Sequence, residues 1–434
     1  MHIPFTCRTL PNGLDVIVHE DHDLPIVAVN LWYHVGSKNE RRGRTGFAHL
    51  FEHLMFEGSA HHDHGFFAPL QRAGASLNGS TSADRTNYWE VVPAGALDLA
   101  LWLESDRMGH LLPALTQAKF DNQREVVLNE RRQNYENRPY GLAGIALADA
   151  LYDPDHPYSW PTIGYTDDLR AASLEDVHAF FRTYYHPRNA SLVLAGDITA
   201  ERGFELAERY FGDVPPGEDV PPVPSGVPTL ARGVRLRLED RVELPRLYLA
   251  WHSPALFDEG DAALDLLADV LGGGKTSRLY RALVVERQLA TEVTAVQYSR
   301  ELTGMFQVVA TAAPGVSLDQ LSVAVHECLD DVRSTRIGEA ELRRSQVQAE
   351  AHFIYRLQTI GGFSGKSDQL NAYNTYRDDP GYVGEDLARY GRATPADLQT
   401  AAEACLSQPS VALGVVPLGQ TSMALADAAQ AVVA

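Results

Sequence analysis

The stretch TGFAHLFEHLMFEGS, residues 45–59, has apolar residues at helical spacing and carries His49, Glu52 and His53 among them. Residues four apart lie one turn apart on the same face of a helix, so His49 and His53 can offer both imidazoles to one ion. Glu52, three residues after His49, projects close to them. This is the arrangement needed for two zinc ligands and a carboxylate that takes a proton from water on the metal.

An amphipathic helix with ordinary polar histidines is the alternative interpretation. Two His and one Glu within five residues of a Leu- and Phe-rich helix would be costly to bury unless something satisfies them. A metal site also needs a third ligand from elsewhere, and the helical stretch at 120–141 supplies several acids.

The order H-x-x-E-H resembles the inverted zincin motif of the pitrilysin, insulysin and mitochondrial processing peptidase family. In that family a ligand Glu follows the second His at a set spacing, and the same spacing here, with 76 residues between, leads from His53 to Glu130. The resemblance implies that His49, His53 and Glu130 bind Zn²⁺. It makes Glu52 the general base and then the acid that protonates the leaving amine. Where many relatives carry a supporting Glu, this chain has Gln123, which can form a hydrogen bond but adds no charge.

The segment LNGSTSADRTNYWEVVP, residues 77–93, resembles the active-site edge strand of that family. An extended peptide adds to such an edge as a further strand through backbone hydrogen bonds. The resemblance implies that substrate backbone docks on Ala75, Ser76, Leu77, Asn78, Gly79, Ser80, Thr81 and Ser82. Zinc, rather than manganese or cobalt, rests on ligand type and on this resemblance.

The segment VPPGEDVPPVPSGVP, residues 214–228, crowds prolines and glycines together and predicts an interdomain linker. The parts of the chain before and after this linker begin with similar segments: LPIVAVNLWYHVGSKNE from Leu24 resembles LPRLYLAWHSPALFDEG from Leu244. We expect an α+β fold of two homologous units, each a mostly antiparallel β-sheet with helices packed on one face. The predicted boundaries are a catalytic zinc-binding domain at 1–213, a linker at 214–229 and a second domain without metal ligands at 230–434.

Periodicity also predicts individual elements in the two halves. Pairs of long helices are expected at about 95–110 and 115–136, and again at about 316–334 and 338–358. Strands are expected at 190–198 and 410–418.

The second half departs from the family in the stretch LVVERQLAT, residues 283–291. Members that work alone or in identical pairs commonly carry an Arg and a Tyr where this chain has Val284 and Thr291. Neither can donate the same hydrogen bonds to a substrate oxyanion, a role worth about 3 kcal/mol per donor. The resemblance implies a heterodimer with a related chain that supplies the Arg/Tyr pair, lacks the zinc motif and closes a chamber of four units. A homodimer, or the use of Arg287 or Tyr298 instead, is the alternative.

Composition limits the remaining classes of protein. A formal net charge of −20 argues against binding to nucleic acid. The sequence contains no run of about 18 or more apolar residues, so it predicts no membrane-spanning helix. The N-terminus lacks the pattern of a signal peptide. The three scattered cysteines predict free thiols. We expect a cytoplasmic protein, or a periplasmic one if a leader was removed.

Three weaker signals are interpreted as structural. AHHDHG, residues 60–65, could hold a second metal but is typical of a solvated loop tip. The histidines His34, His110, His186 and His252 each stand singly in the sequence. GGGKTS, residues 272–277, lacks the first glycine of a phosphate-binding loop, because residue 269 is Asp.

The sequence thus predicts a zinc metalloendopeptidase or oligopeptidase that acts on short or unfolded peptides inside a closed chamber. A non-catalytic assembly subunit is the main alternative, since relatives with this fold can serve only to build complexes. Intact His49, Glu52, His53 and Glu130 favour the enzyme, because such costly buried polar groups erode once catalysis is lost. A metal sensor would not need Glu52 beside an open coordination position.

Overall fold

A computed structural model describes residues 1–224, 226 and 228–433. Two six-stranded sheets lie in this part of the chain. The strands of the first sheet are β1 (Thr6–Thr9), β2 (Asp15–Glu20), β3 (Ile26–Tyr33), β4 (Ser76–Thr81), β5 (Thr86–Pro93) and β6 (Ala190–Gly196). Their order across the sheet is β1-β2-β6-β3-β5-β4. Only β2 and β6 pair in parallel among these strands, so the sheet is mostly antiparallel. Strand β4 comes last in the order and forms an edge of the sheet.

The second sheet repeats this plan. Its strands are β7 (Val234–Asp240), β8 (Arg246–Ser253), β9 (Ala290–Tyr298), β10 (Gly304–Ala312), β11 (Val411–Pro417) and β12 (Ala429–Gln430). Their order is β12-β7-β11-β8-β10-β9. Strand β7 pairs in parallel with β11 and β12, and the other pairs are antiparallel. The predicted α+β class, with two related and mostly antiparallel sheets, is confirmed.

Fourteen α-helices accompany the sheets in the described residues. They are α1 (Phe47–Leu54), α2 (Phe67–Arg72), α3 (Leu97–Ala114), α4 (Gln117–Arg131), α5 (Ala143–Leu151), α6 (Thr166–Ala171), α7 (Leu174–Tyr184), α8 (Ala200–Phe211), α9 (Asp261–Gly272), α10 (Leu318–Ser334), α11 (Glu339–Arg356), α12 (Lys366–Arg377), α13 (Val383–Arg392) and α14 (Pro395–Leu406). Two short π-helical segments are also present, Arg132–Glu136 directly after α4 and Tyr280–Glu286 between α9 and β9. Helices α3, α4, α10 and α11 and strands β6 and β11 lie where the periodicity predicted them.

Local sequence explains where several helices begin. Ser173, Ser317 and Thr394 each accept a hydrogen bond from the backbone N–H three residues later. In each case the residue at that third position returns a hydrogen bond from its side chain to the N-cap backbone. These capping boxes satisfy N–H groups that would otherwise have no partner in the first turn.

Each compact unit includes a segment from the other side of the predicted linker. The first unit comprises Met1–Asn129, Trp160–Val223 and His352–Glu385, and the second comprises Glu130–Ser159, Pro224–Ala351 and Asp386–Ala434. Helix α12 therefore packs against β3 and β6, while α5 packs against β8 and β11. The domain boundaries at 213 and 230 describe sequence order and stay a prediction.

The described residues of 214–229 contain no helix or strand, and Ser225 and Val227 of this predicted linker lie outside the described residues.

All three cysteines are free thiols, and Cys405 is buried. Across the residues that the structure describes, we find no helix with the length and apolarity needed to cross a membrane.

Candidate metal centre

Helix α1 begins at a glycine whose conformation disfavours any other residue. Gly46, the N-cap, has a φ of 87°, and a Cβ on it would lie 3.0 Å from the Cα of Gly164. The N–H groups of Gly46 and Ala48 each donate a 2.8 Å hydrogen bond to the carboxyl group of Glu40. Burial raises the pKa of Glu40 to about 8, although the backbone hydrogen bonds oppose this shift. These contacts fix the first turn of the helix.

The structure brings His49 and His53 of α1 together with Glu130 of α4. One donor atom from each side chain lies within 4.8 Å of the other two, and all three residues are half-buried. The two imidazole centroids are 4.8 Å apart. Ligands that bind one zinc ion at about 2.0–2.1 Å are at most about 4 Å apart. Little side-chain movement would therefore place all three donors around one ion.

This donor set fits zinc. Two imidazoles and one carboxylate are a known ligand set of catalytic zinc sites, and three protein ligands leave one position of a tetrahedral ion open. Burial and the neighbouring His53 lower the pKa of His49 to about 3. His49 is thus neutral at physiological pH, as an imidazole that binds a metal must be.

Glu130 lies near the C-terminal end of α4, just before the π-helical segment Arg132–Glu136. The division between the compact units falls at Asn129 and Glu130, but the backbone of α4 is continuous there. The side-chain amide of Asn134 donates a 3.3 Å hydrogen bond to Oε1 of Glu130. Sequence reasoning missed Asn134, although its position one helical turn after Glu130 is the signal that could have found it.

Glu52 is held from the edge of the first sheet. The hydroxyl of Thr81, the last residue of β4, donates a 2.7 Å hydrogen bond to Oε2 of Glu52. The carboxylate of Glu52 and the outermost strand of the sheet are therefore in direct contact. A peptide added to β4 would lie beside this carboxylate.

The eight residues predicted to dock substrate do not all belong to the strand. Ser76, Leu77, Asn78, Gly79, Ser80 and Thr81 form β4 and pair with β5. The N–H of Ala75 donates to Leu70, and the N–H of Ser82 donates to the carbonyl of Arg85. The N–H groups of Ala75 and Ser82 are therefore hydrogen-bonded within the chain. Only the six residues 76–81 form the edge strand.

Gln123 is buried, and its side-chain amide donates a hydrogen bond to Glu57. Glu57 follows α1 by three residues, so this contact ties α4 to the chain just after the helix of His49 and His53. Gln123 thus supports the arrangement of the two helices that carry His49, His53 and Glu130.

In the second half, the two residues expected at the positions of the family's Arg and Tyr differ in exposure: Val284 is half-buried and Thr291 is exposed. Val284 packs against the hydrophobic core of the second sheet, and the Thr291 hydroxyl donates to the carbonyl of Thr311 at 3.4 Å. Arg287 forms an ion pair with Glu327. Tyr298 ends the edge strand β9 and is 40% exposed. Val284 therefore belongs to a packed interior, whereas Tyr298 faces solvent.

In the first half, the ring centroid of His110 lies 4.8 Å from that of His61, a contact that the separate positions of the two residues in the sequence did not indicate. Among the described residues from 230 to 433, by contrast, no three His, Cys, Asp or Glu side chains converge closely enough to share a metal ion.

Two protein-family models match the chain. The model described as insulinase (peptidase family M16) matches residues 15–153, and the model described as peptidase M16 inactive domain matches residues 171–348. The zinc protease PqqE of Helicobacter pylori is 32% identical over 362 residues, which are 82% of this chain and 81% of that protein. An uncharacterized zinc protease of Mycobacterium leprae is 28% identical over 382 residues, which are 86% of this chain and 83% of that protein.

Solved structures share the fold. A crystal structure of a protease from Helicobacter pylori superposes with a TM-score of 0.87 at 27% identity, over 96% of this chain and 100% of that chain. A peptidase M16 inactive domain from Pseudomonas fluorescens gives a TM-score of 0.84 at 19% identity, over 95% of this chain and 98% of that chain, which shows likeness of fold alone.

Proposed function

Because this chain belongs to peptidase family M16, we propose that it is a zinc-dependent endopeptidase subunit that hydrolyses peptide bonds in short or unfolded polypeptides. His49, His53 and Glu130 would hold the zinc ion. The observation that carries the proposal is their convergence within 4.8 Å, with the carboxylate of Glu52 on the same helix as both histidines. The matched relatives named zinc proteases support it.

Zinc, when bound, supplies a Lewis acid that polarises a carbonyl oxygen and makes water more acidic. The chain supplies the proton transfers. A carboxylate oxygen of Glu52 takes the proton of the attacking water as the new C–O bond forms, and then delivers it to the leaving amine nitrogen as the C–N bond breaks. The Thr81 hydroxyl, bonded to Oε2, orients Glu52 for both steps.

Strand β4 would position the peptide. Residues 76–81 offer the outer edge of the first sheet, and an extended substrate that pairs with this edge places a backbone carbonyl near α1. Holding the reacting groups in this geometry removes much of the entropic barrier to attack.

A related, non-identical subunit would complete the site. Val284 packs against the core of the second sheet and Thr291 is exposed, and neither carries the hydrogen-bond donors of an Arg/Tyr pair, so we assign that pair to a partner without the zinc motif. Oxyanion-stabilising donors of this kind contribute a hundredfold or more to kcat, or about 3 kcal/mol.

The test is cleavage of a quenched fluorescent peptide library. The purified chain is assayed alone and mixed with the product of a neighbouring related gene, each with one equivalent of zinc. Glu52→Gln keeps the zinc ligands and removes the base, so it should bind zinc normally and lose activity. Glu125→Gln, which alters an exposed acid on α4, is the matched control and should keep activity.

Activity that appears only in the mixture and disappears with Glu52→Gln supports the split active site. Strong activity of the chain alone would refute the need for a partner but keep the peptidase. No cleavage in any arm, although zinc is bound, would favour a non-catalytic assembly subunit.

A further inference from the structure

A second group of side chains of the types that bind metal ions lies on the loop after α1 and on helix α3. His61 belongs to the loop between α1 and α2, and Asp106 and His110 belong to α3. One donor atom from each lies within 4.8 Å of the other two. The rings of His61 and His110 meet edge to face at 84°. The group has the same donor types as His49, His53 and Glu130, namely two imidazoles and one carboxylate.

The backbone of α3 is distorted where it presents His110. This residue has φ and ψ of −136° and 25°, outside the helical region, and Pro113 follows within the same helix. A proline inside a helix lacks an N–H and clashes with the preceding turn, which breaks the regular hydrogen bonds. The carbonyl of His110 instead accepts a 3.0 Å hydrogen bond from the N–H of Ala60. The kink thus joins α3 directly to the histidine-rich loop.

Asp106 fixes the same loop from one turn earlier. Its carboxylate accepts hydrogen bonds from the hydroxyl of Ser59, the N–H of His61 at 3.2 Å and the ring Nδ1 of His61 at 2.5 Å. Asp106 thus anchors the loop at Ser59 and His61 to helix α3.

The three ligands are thus preorganised by contacts that need no metal. The Asp106 side chain is 3% exposed, whereas that of His61 is 60% exposed. The group therefore joins a buried anchor to an accessible face through which an ion can enter. Two imidazoles and one carboxylate suit zinc, cobalt and nickel better than magnesium or calcium, which favour oxygen ligands.

We propose that His61, Asp106 and His110 form a second site for a divalent cation of the zinc, cobalt or nickel class. The ion clamps the loop between α1 and α2 onto helix α3. Its role is structural, because the loop leads through α2 into strand β4 and the clamp restrains that connection. A ligand that binds only the folded state raises the free energy of unfolding by RT ln(1 + [L]/Kd), where [L] is the free ligand concentration.

The test isolates this group by removing the first one. An untagged chain with His49→Ala and His53→Ala is titrated with Co²⁺ and then Zn²⁺, with absorption and calorimetry as readouts. We expect one ion per chain and a higher midpoint of thermal unfolding with the metal. Adding His61→Ala or His110→Ala should weaken binding at least about tenfold and remove the thermal shift.

His64→Ala is the matched control, because His64 lies in the same exposed loop but outside the group. It should bind the ion as the parent does. Asp106→Asn keeps the size of the anchor and should also weaken binding, and metal-free unfolding of each variant shows whether it folds. No ion bound by the parent, or equal losses with His64→Ala and His61→Ala, would overturn the proposal. The readouts are binding and unfolding, so the result does not depend on peptidase activity.

Discussion

The hydroxyl of Thr81 donates a 2.7 Å hydrogen bond to Oε2 of Glu52, and this contact joins the edge of the first sheet to helix α1. Thr81 is the last residue of β4, the strand proposed to dock substrate. A shift of the strand on binding would therefore act on the carboxylate proposed as the base. The same bond limits the orientations that Glu52 can adopt, because one of its oxygens is engaged.

We predict that Thr81→Val lowers kcat of the active assembly roughly tenfold or more. A hydrogen bond to a charged group is worth about 1.5–3 kcal/mol, and valine keeps the shape but removes the donor. Steady-state kinetics and zinc content are measured together. Thr81→Ser restores a hydroxyl and should recover most of kcat, while zinc stays bound in both variants. A similar loss in Thr81→Ser would point to strand packing instead of the hydrogen bond.

We predict that N-methylation of a peptide substrate raises KM with a period of two residues. In a peptide that adds to β4, alternate N–H groups face the strand and the others face away. Methylating an inward N–H removes a hydrogen bond and adds a clash, so KM should rise about tenfold or more at those positions. The intervening positions are the internal control and should change little. A loss of equal size at successive positions would argue against strand addition.

The sequence predicted the features that depend on local spacing. The helix of His49 and His53, the long helices α3, α4, α10 and α11, and strands β6 and β11 all follow from periods of apolar residues. The position of Glu130 came from resemblance to a family, since no local pattern distinguishes it from other acids of α4. The structure places it beside both histidines.

The features that depend on long-range packing were not predictable in this way. An amphipathic pattern shows that α12 has a buried face, but not that this face packs on β3 and β6 instead of the sheet of its own half. Similarly, His61 and His110 are far apart in sequence, and only the kink in α3 and the folding of the loop bring their rings together.

We predict that Glu341→Gln makes the chain less sensitive to acid. Glu341 forms two 2.8 Å hydrogen bonds with Arg278. The bonds from Arg278 lower the pKa of Glu341 from 4.5 to about 2. Because the pKa is lower in the folded state, the stabilisation is present above pH 4.5 and is lost as the pH falls toward 2. Urea unfolding of the metal-free chain at several pH values measures this slope.

The stabilising effect of Glu341 should be absent in the glutamine variant, whose urea midpoint should change less between these pH limits. Glu339→Gln removes a carboxylate that is 80% exposed at the start of the same helix, and it should keep the parental slope. If the urea midpoints of the parent and of Glu341→Gln change equally with pH, Glu341 is not the source of the acid sensitivity.

We predict that Gly46→Ala destabilises the chain more than Gly43→Ala and also weakens zinc binding. Both glycines have positive φ, 87° and 82°, so alanine costs about 1 kcal/mol of backbone strain at either position. A Cβ at Gly43 meets nothing within 4 Å, whereas a Cβ at Gly46 lies 2.9 Å from Leu169 and 3.0 Å from Gly164. The added clash should bring the cost at Gly46 to about 2–3 kcal/mol.

Because Gly46 caps α1, relief of that clash would displace His49, so zinc content should fall in Gly46→Ala and stay at the parental level in Gly43→Ala. Equal urea midpoints and equal zinc content in the two variants would show that the close approach of Gly46 to Gly164 does not position the helix.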